Sequence, residues 1–374
     1  MQILTVDVGT GTQDILLFDS ERELENCFKL VLPSPTVVAA DRIRTATAQR
    51  KRLVLRGVTM GGGPCHWATM DHVRAGLAAF ATPDAARTFD DDLDAVTEMG
   101  IHVVSDDEAI RLADDGAELV FMQDLALGQI LQTFAEFGVQ VKVSALAVAV
   151  FDHGAAPPGF SDRVFRFNYL RERLATGLGL AGFAFARENV PEAMTRLHAV
   201  AETAPADLPL LLMDTAPAAI LGALEDARVK KAESPLVANV GNFHCLAFHL
   251  LDGQAVALFE HHTGELNAER LSDYVEQLGN GSIRNDVVFA DKGHGALVLD
   301  AAAPLPDLVA VTGPRRALLV ETGREPYLAV PHGDMMLAGN FGLLRAYAAH
   351  DPDVGVMVER RLGPVKHVGS ALGV

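Results

Sequence analysis

The chain has 374 residues, 49% of them hydrophobic, and 49 acids against 31 bases give a formal charge of −18. This length accommodates two domains with a core each, and the acidic balance excludes nucleic acid or an anionic membrane as the main partner, since both reward a basic face. No apolar run approaches the ~20 residues of a membrane-spanning helix, and three scattered cysteines (Cys27, Cys65, Cys245) make no disulfide framework.

In chain order, strands are predicted at Gln2–Val6, Asp14–Phe18 and Asn26–Leu32, an antiparallel meander. The first two are joined by Asp7-Val8-Gly9-Thr10-Gly11-Thr12-Gln13, whose exposed N–H groups and threonine hydroxyls suit an anion such as a phosphate. Asp7 stands at the end of the strand, placed to hold a hydrated Mg²⁺. From the residues alone, a plain hairpin with a permissive glycine turn reads equally well. Asp7 and Asp14 interrupt the opening apolar runs, so no signal peptide is expected and a reducing cytoplasm is the expected location.

A helix is predicted at Thr36–Gln49, then a strand at Arg52–Val58 running into Gly61-Gly62-Gly63-Pro64. Those glycines can bring a ligand close to helix N-terminal amides, or only turn a strand into a helix. Strands Ile101–Val104, Glu118–Phe121 and Lys142–Phe151 alternate with helices Asp84–Met99, Asp106–Asp114 and Leu125–Phe137. This alternation indicates an α/β arrangement with parallel strands. After the loop Asp152–Gly159 and helical sequence to Glu202, the strand Leu210–Met213 runs into Asp214, just before a helix at Ala216–Glu225. Strand ends are where α/β folds place ligands, although an aspartate there also caps helices.

Lys230–Pro235 reads as a linker to a second half. Strands Leu236–Val240, Cys245–Leu251 and Ala255–Phe259 echo the opening meander. Aligning Asn239 with Asp7 places Gly241 on Gly9, with Asn242-Phe243 following in the turn, so two similar halves would clamp a polyphosphate between them. Glu260-His261-His262-Thr263-Gly264-Glu265 is a polar burst that offers a metal ligand, an acid–base group or a solvated loop. His261 and His262 point to opposite sides of a strand, and no HxxxH or HxH spacing occurs, so no zinc site is expected. A helix Asn267–Leu278, a strand Leu308–Thr312 ending at Gly313 and a helix near Leu337–Ala349 complete the pattern.

Asp7–Gln13 resembles the first phosphate motif, and Asn239–Phe243 the second, of the two-domain ATPases that include actin, the heat-shock chaperones, acetate kinase and the sugar kinases. More narrowly, Leu30–Thr36, Thr59–Pro64 and Gly333–Asn340 are similar to a prokaryotic family labelled pyruvate formate-lyase activating enzyme-like. The resemblance implies two ribonuclease-H-like α/β domains, 1–230 and 236–374, with an interdomain cleft for ATP and Mg²⁺. It implies phosphate binding by Gly9, Thr10, Gly11, Thr12, Gln13, Gly241 and Asn242, and adenosine over Gly313, with Arg315 or Arg316 stacking on the base or pairing with a phosphate. Asp7 would hold the metal and take part in catalysis, and Asp214, similar to the sugar-kinase aspartate before an alanine-rich helix, would be the general base. In actin-like and chaperone members an acid stands where Asn239 is, so the resemblance tilts toward phosphoryl transfer to a small-molecule acceptor rather than hydrolysis. The alternative is an ATP-responsive activator or interaction protein, with a protein partner or a second copy of itself. The inherited label implies a radical enzyme whose iron–sulfur cluster needs three closely spaced cysteines, and this chain has none so spaced.

Overall fold

The computed structural model describes residues 1–364. The chain opens with β1 (Gln2–Val8), β2 (Thr12–Asp19) and β3 (Phe28–Pro33), paired antiparallel in sequence order. Both β1 and β2 bury nearly every residue, because this sheet is covered on both faces. From β3 the chain leaves through the helix Pro35–Ala48 into a second sheet. Its strands β4 (Leu53–Gly57), β5 (Ala79–Ala81), β6 (Ile101–Val103) and β7 (Glu118–Met122) are all parallel, in the order β6-β5-β4-β7. This unit has an apolar cluster of its own, built on Leu53, Leu55, Ala79, Ile101 and Val120.

The chain then returns to the first sheet. The small-residue strand β8 (Val143–Val150) lies parallel to β1, β9 (Ala184–Ala186) is a short edge, and β10 (Leu210–Asp214) lies parallel to β8. The sheet order is β3-β2-β1-β8-β10-β9.

In the second half, β11 (Pro235–Val240), β12 (His244–Leu251) and β13 (Gln254–His262) form another antiparallel meander. β14 (Gly295–Val298) extends it, β15 (Leu308–Thr312) lies parallel to β11, and β16 (Tyr327–Leu328) parallel to β15. The order β14-β13-β12-β11-β15-β16 repeats the arrangement of the first sheet: a meander whose first strand sits beside a parallel strand from further along the chain. Two ribonuclease-H-like α/β units therefore make up the fold, with the parallel four-stranded sheet inserted into the first.

Two helices join the halves. Thr215–Ala223 follows β10 yet also packs on β11 and β12, whereas Ala338–His350 comes from the second half and lies against β1, β2 and β8. They cross with backbone in contact. A Cβ on Gly222 would overlap the Ala338 carbonyl, and one on Gly342 would overlap the Ala218 carbonyl. The side-chain amide of Asn340 fastens the second helix by donating to the carbonyls of Thr5 (3.1 Å) and Asp14 (2.9 Å). Farther on, Arg361 donates to the Ser20 carbonyl at 2.9–3.0 Å, so the C-terminal helices end on the first sheet.

Candidate nucleotide cleft

A cavity of about 1060 Å³ lies between the halves, at the upper end of the size of small-molecule sites. The two glycine turns face each other across it. In each, the glycine N–H closes the hairpin on a carbonyl three residues on, Gly9 to Thr12 and Gly241 to His244, both at 2.9 Å. A Cβ on Gly11 would come within 3.1 Å of the Asn242 amide nitrogen, so the tips of the two turns touch. Gly63, in the left-handed region at φ 67°, arrives at the same place, where a Cβ would come within 2.6 Å of the Phe243 ring.

Asp7, Gly9, Thr10, Gly11, Thr12, Gly241, Asn242 and Gly313 all line this cavity. Gln13 does not. It pairs with Val8 and Leu32 inside the sheet, and its amide donates to the Pro33 carbonyl at 3.0 Å. Gly313, at φ 97°, packs so closely on Asn239 and the Val240 carbonyl that no side chain fits. Arg315 is exposed, Arg316 is half-buried, and neither borders the cavity.

Asp7 is gripped from two sides. Thr215, at the start of one crossing helix, donates its hydroxyl to Asp7 Oδ1 at 2.6 Å. Gly339, at the start of the other, lies so close to Asp7 Oδ2 that a Cβ there would overlap it. Asp14 stands directly opposite Asp7 in the β1–β2 ladder and shares the cleft. Its Oδ1 is buried without a hydrogen-bond partner. Burial, partly offset by the Thr215 hydroxyl, lifts Asp7 to about 6. Burial and the adjoining Asp7 charge push Asp14 up to about 8. Two carboxylates held this close, one with an orphaned oxygen, form a hard oxygen-donor pair that suits Mg²⁺. Asp14 is the site residue that sequence reasoning passed over, although β-strand register alone puts it across from Asp7.

Asp214 closes β10 and caps the next helix by accepting from Ala216 N at 3.1 Å. Its other oxygen is paired with Arg166, which also holds Glu260 by bonds of 2.8 and 3.0 Å. All three groups are buried, and Glu260 belongs to the second half, so the triad ties the halves together. Asp214 does not border the cavity, and burial raises its pKa against the pull of Arg166. On the cavity wall stand Asp90, Asp91 and Asp92, the glycines Gly61–Gly63, and Asp152. The Asp152 carboxylate accepts from Gly154 N (2.8 Å) and Leu197 N (2.9 Å).

In the polar burst after β13, Glu260 serves Arg166, His261 faces Tyr274 and Asp291, and His262 turns toward His244 and His294. The expectation of no zinc site, drawn from local spacing, overlooks this grouping, which sheet register assembles. The three cysteines are free and lie on separate elements: Cys27 before β3, Cys65 in the helix Pro64–Arg74, and Cys245 on β12. They form no thiolate cluster and do not fit an iron–sulfur centre.

No curated protein matches the chain. Solved structures similar to it include a ROK family transcriptional regulator, a homolog of E. coli MLC protein, with 10% identity, coverage of 97% of this chain and 81% of that one, and a TM-score of 0.34. A ROK hexokinase from Thermus thermophilus shows 14% identity, 93% and 98% coverage, and a TM-score of 0.30. The ethanolamine utilization protein EutJ from Carboxydothermus hydrogenoformans shows 11%, 92% and 89%, and 0.26. The family described as "Putative pyruvate format-lyase activating enzyme (DUF1786)" matches residues 60–318, well over half of the chain, and the chain belongs to that family.

Proposed function

We propose that this protein binds Mg²⁺-ATP between its halves and transfers the γ-phosphoryl group to a small-molecule acceptor. The observation that carries the reading is the meeting of the two repeated glycine turns over the Asp7–Asp14 pair. Turn amides from both halves suit phosphate oxygens, and the carboxylate pair suits Mg²⁺, which would supply neutralising charge to those phosphates. The turn at Thr312–Pro314 is the place for the nucleoside, and Gly61–Gly63 with Asp90–Asp92 the wall for the acceptor. The radical chemistry in the family description finds no support in the cysteines, which lie on separate elements.

Asp214 is the proposed base by resemblance, and in that role it must part from Arg166. That same ion pair favours a second reading, an ATP-responsive activator or interaction protein that binds nucleotide without passing on the phosphoryl group. ATP consumption by the purified protein across a panel of hydroxyl and carboxylate acceptors separates the two. Transfer supports the first if it is lost in Asp7→Asn and reduced in Asp214→Asn. Binding with no product from any acceptor supports the second. No ATP binding in the wild type overturns both.

A further inference from the structure

Three imidazoles from three adjacent strands converge beside the cleft. His244 opens β12 and His262 closes β13, and the two are direct cross-strand partners, so their side chains share one face. His294 immediately precedes β14, and its N–H donates to the Glu260 carbonyl on β13 at 2.9 Å. Ring centroids stand 5.1 Å apart for His244–His262, 4.5 Å for His262–His294 and 5.3 Å for His244–His294. One ring nitrogen from each lies within 4.8 Å of the others.

The surroundings hold these rings in place but leave them free to bind. Phe151 stacks on His244 at 3.8 Å and 10°. The Glu260 carboxylate lies 3.8 Å from Nδ1 of His294, too far for a hydrogen bond, and that nitrogen is buried with no partner. Arg166 sits over Phe151 but is paired with Asp214 and Glu260, and Arg163 is held by the carbonyls of Phe289 and Gly293. Glu260 thus brings a carboxylate to the edge of the cluster, where it is paired with Arg166, and Arg163 is turned onto backbone carbonyls.

We propose that His244, His262 and His294 bind one divalent transition-metal ion, Zn²⁺ first, with an open coordination position toward the cleft. An all-imidazole set suits zinc, copper, nickel or iron and not Mg²⁺, so it is chemically distinct from the Asp7–Asp14 pair. Three protein ligands leave a fourth position for water or an anionic oxygen of a bound molecule. His244 borders the cavity next to Asn242 and Phe243, whereas His262 and His294 do not, so the site meets the cleft through His244. The ligands are 18 and 32 residues apart in sequence, so no short motif reveals them. The site does not depend on the cleft being a nucleotide site.

The test is Zn²⁺ titration of untagged, chelator-stripped protein against a colorimetric chelator, with Co²⁺ spectra in parallel. One equivalent is expected to bind, with tetrahedral cobalt bands and no thiolate charge-transfer band. His244→Ala and His262→Ala should each weaken zinc by more than the ~10–100-fold that loss of an outer-shell partner costs. His102→Ala, exposed on β6, should bind as wild type does, and each metal-free variant should keep a cooperative unfolding transition. Lack of a stoichiometric site, zinc binding that survives both His244→Ala and His262→Ala, or a thiolate band in the wild-type cobalt spectrum would overturn the proposal. The wild-type spectrum decides the matter if a variant fails to fold.

Discussion

Asp14→Asn should stabilise the metal-free protein while weakening its response to Mg²⁺. Asp14 is 8% exposed, has a buried Oδ1 without a partner, and is raised from 3.8 to about 8 by burial and by Asp7. A carboxyl with a raised folded pKa contributes stability that is fully present below pH 3.8 and is lost as pH climbs through its folded pKa. The folded chain binds a proton that the unfolded chain has released, and stability falls by about 1.4 kcal/mol per pH unit in that window. From pH 3.8 to pH 7 this amounts to at most about 4 kcal/mol. Asparagine keeps the shape without the ionisation, so the variant should unfold several degrees above wild type at pH 8 and close to it at pH 4. The assay is thermal unfolding of both proteins from pH 4 to 9, with chelator and with millimolar Mg²⁺. Mg²⁺ should raise the wild type above pH 7 and leave the variant nearly unmoved. A variant no more stable than wild type at pH 8, or one that keeps the full Mg²⁺ response, would refute the strained carboxylate pair.

Gly339→Ala pushes a methyl group into Asp7 Oδ2, and it should lose the ATP-induced shift in unfolding temperature at a stability cost of about 1–3 kcal/mol. Gly222→Ala drives a methyl group into the Ala338 carbonyl at the helix crossing. Denaturant titration should show it losing at least a similar amount, with the two halves unfolding less cooperatively. Glu260→Gln removes one of the two acids that hold the buried Arg166. Breaking such a pair costs about 3–5 kcal/mol, so its denaturation midpoint should fall well below that of wild type.

The repeat was legible because Gly9 and Gly241, with the apolar runs around them, carry their turn chemistry in the local sequence. The same turns hold most of the predicted residues that line the cavity: Asp7, Gly9, Thr10, Gly11, Thr12, Gly241 and Asn242. The inserted sheet was half legible. Its alternation of strand and helix marked parallel pairing, but periodicity does not say which sheet a strand joins, so β4, β6 and β7 looked continuous with β8, and the three-residue β5 was not read as a strand. Gln13 sits next to the phosphate turn in sequence, yet the ladder turns its amide onto Pro33. Asp214 ends a strand as expected, but its partner Arg166 lies 48 residues away, beyond any local motif. The three histidines were hidden for the same reason, whereas Asp14 was within reach of the hairpin register and was passed over. Cross-strand register pairs Asp7 with Asp14 and His244 with His262, and the turn into β14 adds His294.

Binding of Mg²⁺-ATP in the cleft between the repeated turns is read by thermal unfolding of wild type and Asp7→Asn in rising Mg²⁺-ATP. Wild type should show a saturable stabilisation, about 2.7 kcal/mol when ATP reaches 100 times its Kd, and Asp7→Asn none. An unmoved wild-type transition at millimolar Mg²⁺-ATP, or equal shifts in both proteins, would contradict it.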